Sequence, residues 1–118
     1  MIDLKRYVYE KLVECGVETV YFYPEDFKNL PVISYYEIEN SDSGYCGSEV
    51  ISDVSFQVDV WAEKALTLSE ICMNVDEKMS EIGFRRAFAQ DLNEDSVYRK
   101  TMRYSAKVNN VTLQMYKK

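Results

Sequence analysis

Histidine is absent from this 118-residue chain, so any nucleophilic or metal chemistry would have to rest on three cysteines and on its carboxylates and lysines. Cys15, Cys46 and Cys72 are odd in number and show no C-x-x-C spacing, which argues against both a disulfide framework and a zinc site. Cys15 and Cys72 fall on apolar helical stripes, where a free cysteine behaves as a small hydrophobe. Cys46, beside Tyr45 in a glycine-containing segment, is the thiol expected at the surface. A serine or cysteine nucleophile needs a base within reach, and no pairing in the sequence provides one. Asp91, Glu94 and Asp95 surround a turn but lack the alternating spacing of a calcium loop. Asp76 and Glu77 read as solvated carboxylates on the outer face of a helix. Gly44 and Gly47 do not precede a helix opening with Lys-Ser or Lys-Thr, so there is no phosphate loop. The expectation is a protein without enzymatic activity, cofactor or metal.

The charge points the same way. A formal net charge of −6 argues against specific nucleic-acid binding, which needs a basic footprint. It is unevenly spread: residues 1–82 carry 6 basic and 17 acidic side chains, residues 83–118 carry 8 and 3. Such a dipolar subunit could meet a second copy head to tail, the contact that builds rings or filaments. Charges interrupt the first apolar stretch, so no secretory signal is expected, and no window approaches the length of a membrane span. Ten tyrosines, including the pairs Tyr35/Tyr36 and Tyr7/Tyr9, place some rings outward, where they favour protein contacts.

These residues need elements to hold them. Leu4, Tyr7, Val8, Leu12 and Cys15 form a helical stripe over residues 2–15, stopped by Gly16. Residues 17–23 and 32–40 are rich in strand formers. Residues 41–48 concentrate turn formers and predict a mobile hairpin loop. Val54, Phe56, Val58 and Val60 then alternate with Ser55, Gln57, Asp59 and Trp61, a strand with one buried face. Trp61, on the polar side, is either capped by the following loop or part of a contact surface. A second helix follows, with Thr67 and Glu70 as a capping box, an apolar stripe from Leu68 to Ile82, and Gly83 as its stop. Residues 84–92 and 97–109 predict two strands around a turn, and 111–115 adds a further short one. Tyr98, Met102, Tyr104, Ala106 and Val108 share one face of the long strand, Arg99, Thr101, Arg103, Ser105 and Lys107 the other. The order α-β-β-β-α-β-β with short connections predicts one α+β domain over residues 1–118. Its mostly antiparallel sheet of about five strands would carry two packed helices.

Three stretches carry a resemblance: Leu30-Pro31-Val32-Ile33-Ser34-Tyr35, the Gln57-Val58-Asp59-Val60-Trp61 strand with a following helix ending at Gly83-Phe84, and Asp91-Leu92-Asn93-Glu94 leading to Tyr98-Arg99-Lys100-Thr101-Met102-Arg103-Tyr104. In order and spacing the chain resembles the tail terminator proteins of long-tailed bacteriophages and prophages, also called tail-completion or head–tail joining proteins. That resemblance implies a non-enzymatic structural protein made in the host bacterial cytoplasm and resident in the virion, at the head–tail interface. Its partners would be copies of itself in a ring, commonly a hexamer, the tail tube protein and the head-completion or connector protein. The subunit-interface candidates are Arg99, Arg103 and Lys107 on the outer face of the last long strand, facing Glu49 and Asp53 of a neighbour, with Trp61 and Tyr45 as aromatic contacts. The alternative from another class is a small acidic inhibitor or immunity-type protein that mimics nucleic acid.

Overall fold

The computed structural model describes residues 2–46, 49–94, 96–112 and 115–116, though not the side chains of Ser43, Tyr45, Cys46, Glu49, Met115 and Tyr116. Helix α1 (Lys5–Val13) is followed by β1 (Glu18–Tyr21), β2 (Val32–Cys46), β3 (Glu49–Ala62), α2 (Ala65–Glu81), β4 (Arg85–Asp91), β5 (Tyr98–Asn109) and β6 (Met115–Tyr116). The strands form one sheet in the order β1-β2-β3-β5-β4, with β6 also on β5. The fold is α+β, with a mostly antiparallel sheet and two helices in the expected order.

Both helices pack on one face of the sheet. Val8 and Leu12 from α1 and Leu68, Ile71, Cys72, Val75 and Met79 from α2 join Val54, Phe56, Val58, Val60, Met102, Tyr104, Ala106 and Val108 in one cluster. The period-2 alternation of β3 and β5 and the three-to-four spacing of the helices thus meet in a single core. Burial drives the Cys72 thiol up to about 11, as expected of a sulfur used as a hydrophobe. Salt bridges of Lys11 and Lys78 with Glu14 and Glu81, at 3.3–3.7 Å, join the ends of the two helices.

The helix stops follow the sequence. Gly16 takes a φ of 75° after α1, and Gly83 a φ of 94° after α2. At the second, Phe84 N–H donates to Met79 O and Gly83 N–H to Ser80 O, the paired bonds of a Schellman motif. The start of α2 is different. Lys64 is the N-cap and no side chain caps it, so Thr67 and Glu70 lie inside the helix rather than forming a capping box. Three further expectations change. First, β1 pairs with β2 in parallel, because the ten residues between them cross back over the sheet instead of making a hairpin. Second, residues 41–46 are not loop: β2 runs to Cys46 and pairs with β3 down to Glu49, with register shifts between Glu37 and Glu39 and between Asp42 and Gly44. The two residues between those strands, Gly47 and Ser48, lie outside the described residues. Third, the last strand is β6 at Met115–Tyr116, and residues 110–112 form the turn before it.

Candidate functional site

The sheet face opposite the helices carries side chains that alternation alone would put in water. Asp59 is fully buried, and Ser34, Gln57 and Thr101 are also buried. They converge because Ser34, Asp59 and Thr101 are cross-strand partners on β2, β3 and β5. Thr101 Oγ1 donates to Asp59 Oδ1, and Gln57 Nε2 donates to Asp59 Oδ2 at 3.2 Å. Arg99 Nη2 lies 3.5 Å from Asp59 Oδ1, with the Arg99 side chain only 12% exposed. Its other Nη bonds Glu94 at 3.2 Å. The guanidinium stacks on Trp61, 4.5 Å from the ring centroid, and faces Tyr23 at 5.7 Å. Burial pulls the guanidinium pKa down, but the Asp59 carboxylate and the Tyr23 hydroxyl hold it above its ordinary value. A charge pair in such surroundings survives because it is hydrogen-bonded on both sides.

Residues 22–30 close this cluster from above. Phe27 stacks on Trp61 at 4.9 Å and Tyr23 meets it edge-on at 6.3 Å. Phe22 and Tyr23 also contact Tyr36. Trp61 Nε1 donates to Ser34 Oγ at 2.9 Å, so the indole, 3% exposed, is satisfied on all sides. Of the two readings of Trp61, the structure takes the capped one, but the cap comes from the loop between β1 and β2 rather than from the loop after β3. The Gln57-x-Asp59-x-Trp61 pattern has a physical cause: residues two apart share a face. Gln57 and Arg99 fix the carboxylate, while Trp61 carries the arginine.

The other interface candidates fall elsewhere. Arg99 is not on an outer surface, because it turns inward to Asp59. Lys107 Nζ bonds Asp53 of its own chain at 3.0 Å, half-exposed at the far end of the sheet. Arg103 is exposed, with its guanidinium 5.3 Å from the Phe88 ring centroid. The side chains of Glu49 and Tyr45 lie outside the described residues. Arg86 pairs with Asp76 at 3.2 Å and Lys100 with Asp91 at 3.6 Å. The basic final third therefore largely meets acidic residues within the same chain, since β5 lies beside β3 and β4 beside β5. Asp76 is more than a solvated carboxylate: it accepts a 2.9 Å bond from the buried Tyr104 hydroxyl. Burial, then this bond, pushes the Tyr104 pKa well up.

What remains open is surface rather than cavity. Tyr21, Phe22, Tyr23 and Phe27 are each 40–56% exposed around β1 and the loop after it. A shallow cleft of about 310 Å³ beside them is lined by Glu18, Glu25 and Asp26. Leu66 and Met73, above 70% exposed, lie seven residues apart on the outer side of α2. Among the described residues, no three Asp, Glu, Cys or His side chains cluster as a metal site would need. No helix among them is long and apolar enough to cross a membrane. The arrangement offers two sheet edges, an aromatic patch and a buried ionic cluster that stiffens the strands between them.

A chain of the virion of a native gene transfer agent (GTA) particle has this fold. It aligns over 86% of this chain and 91% of its own length, with a TM-score of 0.63 and 16% sequence identity. No protein-family model and no curated protein sequence matches the chain. The shared coverage includes nearly the whole path from helix to sheet, so the likeness is one of complete architecture rather than of a single supersecondary unit.

Proposed function

We propose that this chain is a structural subunit of a phage-like virion. In this reading it assembles into a ring, of six copies by the resemblance in its sequence, that caps the tail tube and joins it to the head connector. The observation that carries the reading is the fold shared with the gene transfer agent virion chain over 86% of the present one. The tail-terminator pattern in the sequence supports it independently, in particular the Gln57-Asp59-Trp61 strand. The surface supports it too: the exposed aromatics around β1 and the loop after it serve protein contact. The subunit acts through shape and charge, without catalysis or cofactor, and its partners are its own copies, the tail tube protein and the connector protein. It is made in the bacterial cytoplasm and resides in the virion. Specific recognition of nucleic acid plays no part, and an acidic surface lining the ring lumen would let DNA slide past.

The test is to mix the purified protein with its tail tube protein and view the product by negative-stain microscopy. Tubes of limited length, each carrying a terminal ring, are the expected result. Tubes of unlimited length with bare ends would refute the reading.

A further inference from the structure

The two edges of the sheet are complementary in charge, height and face. Among the described residues no strand lies beyond β1 on one side or beyond β4 on the other. All seven residues of β4 are exposed, an arrangement that single subunits usually avoid because an open edge invites another strand. On the opposite side β1 is only four residues long and covers β2 from Val32 to Tyr35. There Phe22, with a φ of 76°, turns the chain away and its N–H closes on Tyr35 O. Beyond Tyr35 the outer side of β2 is a notch that carries Glu37 and Glu39.

Cross-strand registers connect this notch to β4. Glu37 is level with Phe56, Phe56 with Tyr104, and Tyr104 with Arg86. Glu39 is level with Ser55, Ser55 with Ser105, and Ser105 with Arg85. Partners on one rung share a face, so Glu37 and Arg86 lie on the helix side and Glu39 and Arg85 on the open side. The Arg86 contact with Asp76 of α2 and the Glu39 contact with Ser55 agree with those two faces. Two rungs from Glu37, past the rung of Tyr36 and Phe88, Tyr21 is level with Tyr35, Val58, Met102 and finally Ala89.

We propose that the occupant of each edge is a second copy of this chain, with β4 of one subunit pairing antiparallel to β1 of the next. This inference rests on the ring reading and specifies where the ring closes. β1 runs antiparallel to β4 in the sheet, and a rotation about an axis along the strands preserves both directions, so the seam is antiparallel. Such an operator also leaves heights unchanged, and each rung meets its own continuation. Ala89 then faces Tyr21, Gln90 faces Val20, and Asp91 faces Thr19. Arg85 and Arg86 overhang the end of β1, about 10 Å from the β2 backbone given the strand spacing, and extended side chains reach Glu39 and Glu37 across it. Arg86 leaves its exposed Asp76 partner at little cost, since such pairs contribute weakly. The contact is heterologous and head to tail, the type that closes into rings.

The tube-capping mixture decides between the outcomes. With Tyr21→Cys and Ala89→Cys in one chain, oxidation of assembled rings produces a covalent ladder up to the ring number, and neither single variant does. Glu37→Arg with Glu39→Arg lowers the count of capped tube ends by about tenfold or more, as like charges then meet at the seam. Arg85→Glu with Arg86→Glu does the same, and all four changes in one chain restore capping, which shows that the variants fold. Rings that form without a ladder and tolerate both charge reversals overturn the seam while leaving the ring reading intact. Absence of rings from the unaltered protein overturns both.

Discussion

The two faces of the sheet solve the same problem with opposite materials. Under the helices, Phe56, Val58, Met102 and Tyr104 are shielded by apolar side chains from α1 and α2, and stability there follows the area removed from water. On the opposite face, Gln57, Asp59, Thr101 and Arg99 are nearly as deeply buried, yet no helix covers them. A short aromatic loop and a network of charge-assisted bonds do the work instead. The difference teaches that the first face tolerates exchange of one hydrophobe for another of similar volume, while the second tolerates only changes that keep its charges balanced. The first holds the subunit together; the second keeps the strands between the two sheet edges in fixed register.

Removing one charge should have the largest effect. Arg99→Met leaves Asp59 buried and unpaired, an expected loss of about 3–5 kcal/mol in denaturant unfolding. Adding Asp59→Leu to that variant should restore part of the loss, the remainder reflecting the Thr101 hydroxyl and Gln57 amide left without their acceptor. Phe56→Ala on the other face should lose about as much, 3–5 kcal/mol, but with no partner change that rescues it. Failure of the Asp59→Leu rescue would mean that the two faces do not differ as described.

Alkali probes the helix side. Burial raises Tyr35 to about 12, and Tyr104 is also raised. Both keep their protons in the folded state after the unfolded chain has begun to lose them near pH 10. Stability from this source is therefore complete below pH 10 and is lost as pH rises toward 12 and beyond. Thermal melts between pH 9 and 12 should show the decline, and Tyr35→Phe should flatten it. A smaller effect is expected from Tyr104→Phe at neutral pH, about 1 kcal/mol for one hydrogen bond to a carboxylate near the surface. The smallest belongs to the far end of the polar face. Lys107→Met, which breaks a half-exposed bond to Asp53, should lower the unfolding free energy by about 0–1 kcal/mol in denaturant titration. A loss comparable to that of Arg99→Met would show that the ionic face acts as one network along its whole length.

Much of the fold was legible because periodicity reports directly on local structure. The stripe of Leu68, Cys72, Val75 and Met79, the alternation through β3, and the two faces of β5 all reflect which side chains must leave water. Glycines marked the helix stops because only they enter positive φ without strain. Partner choice was less legible. Thr67 and Glu70 have the right spacing for a cap, but the N-cap is Lys64, three residues before Thr67, so the pattern sits nearly one turn too deep. Ser41 to Cys46 has turn composition, yet pairing along β3 supplies its backbone with bonds and overrides that preference. Asp59 and Trp61 were visible as residues with a common face. That this face is closed depends on Tyr23 and Phe27, more than thirty residues earlier.

By itself, the sequence determined the α+β order, the apolar core residues and a resemblance to phage tail terminators, because each depends on residues close together or on a repeated spacing. The absence of histidine narrows the available chemistry independently of the fold. Only the tertiary structure decided where the charges went. The excess of acid in the first two-thirds and of base in the last third suggested an external dipole. Placing β5 beside β3 instead brings Arg99 to Asp59 and Lys107 to Asp53, and packing α2 on the sheet brings Asp76 to Arg86. The physical reason is that Coulomb attraction depends on distance in space, and strand order, not chain order, sets that distance.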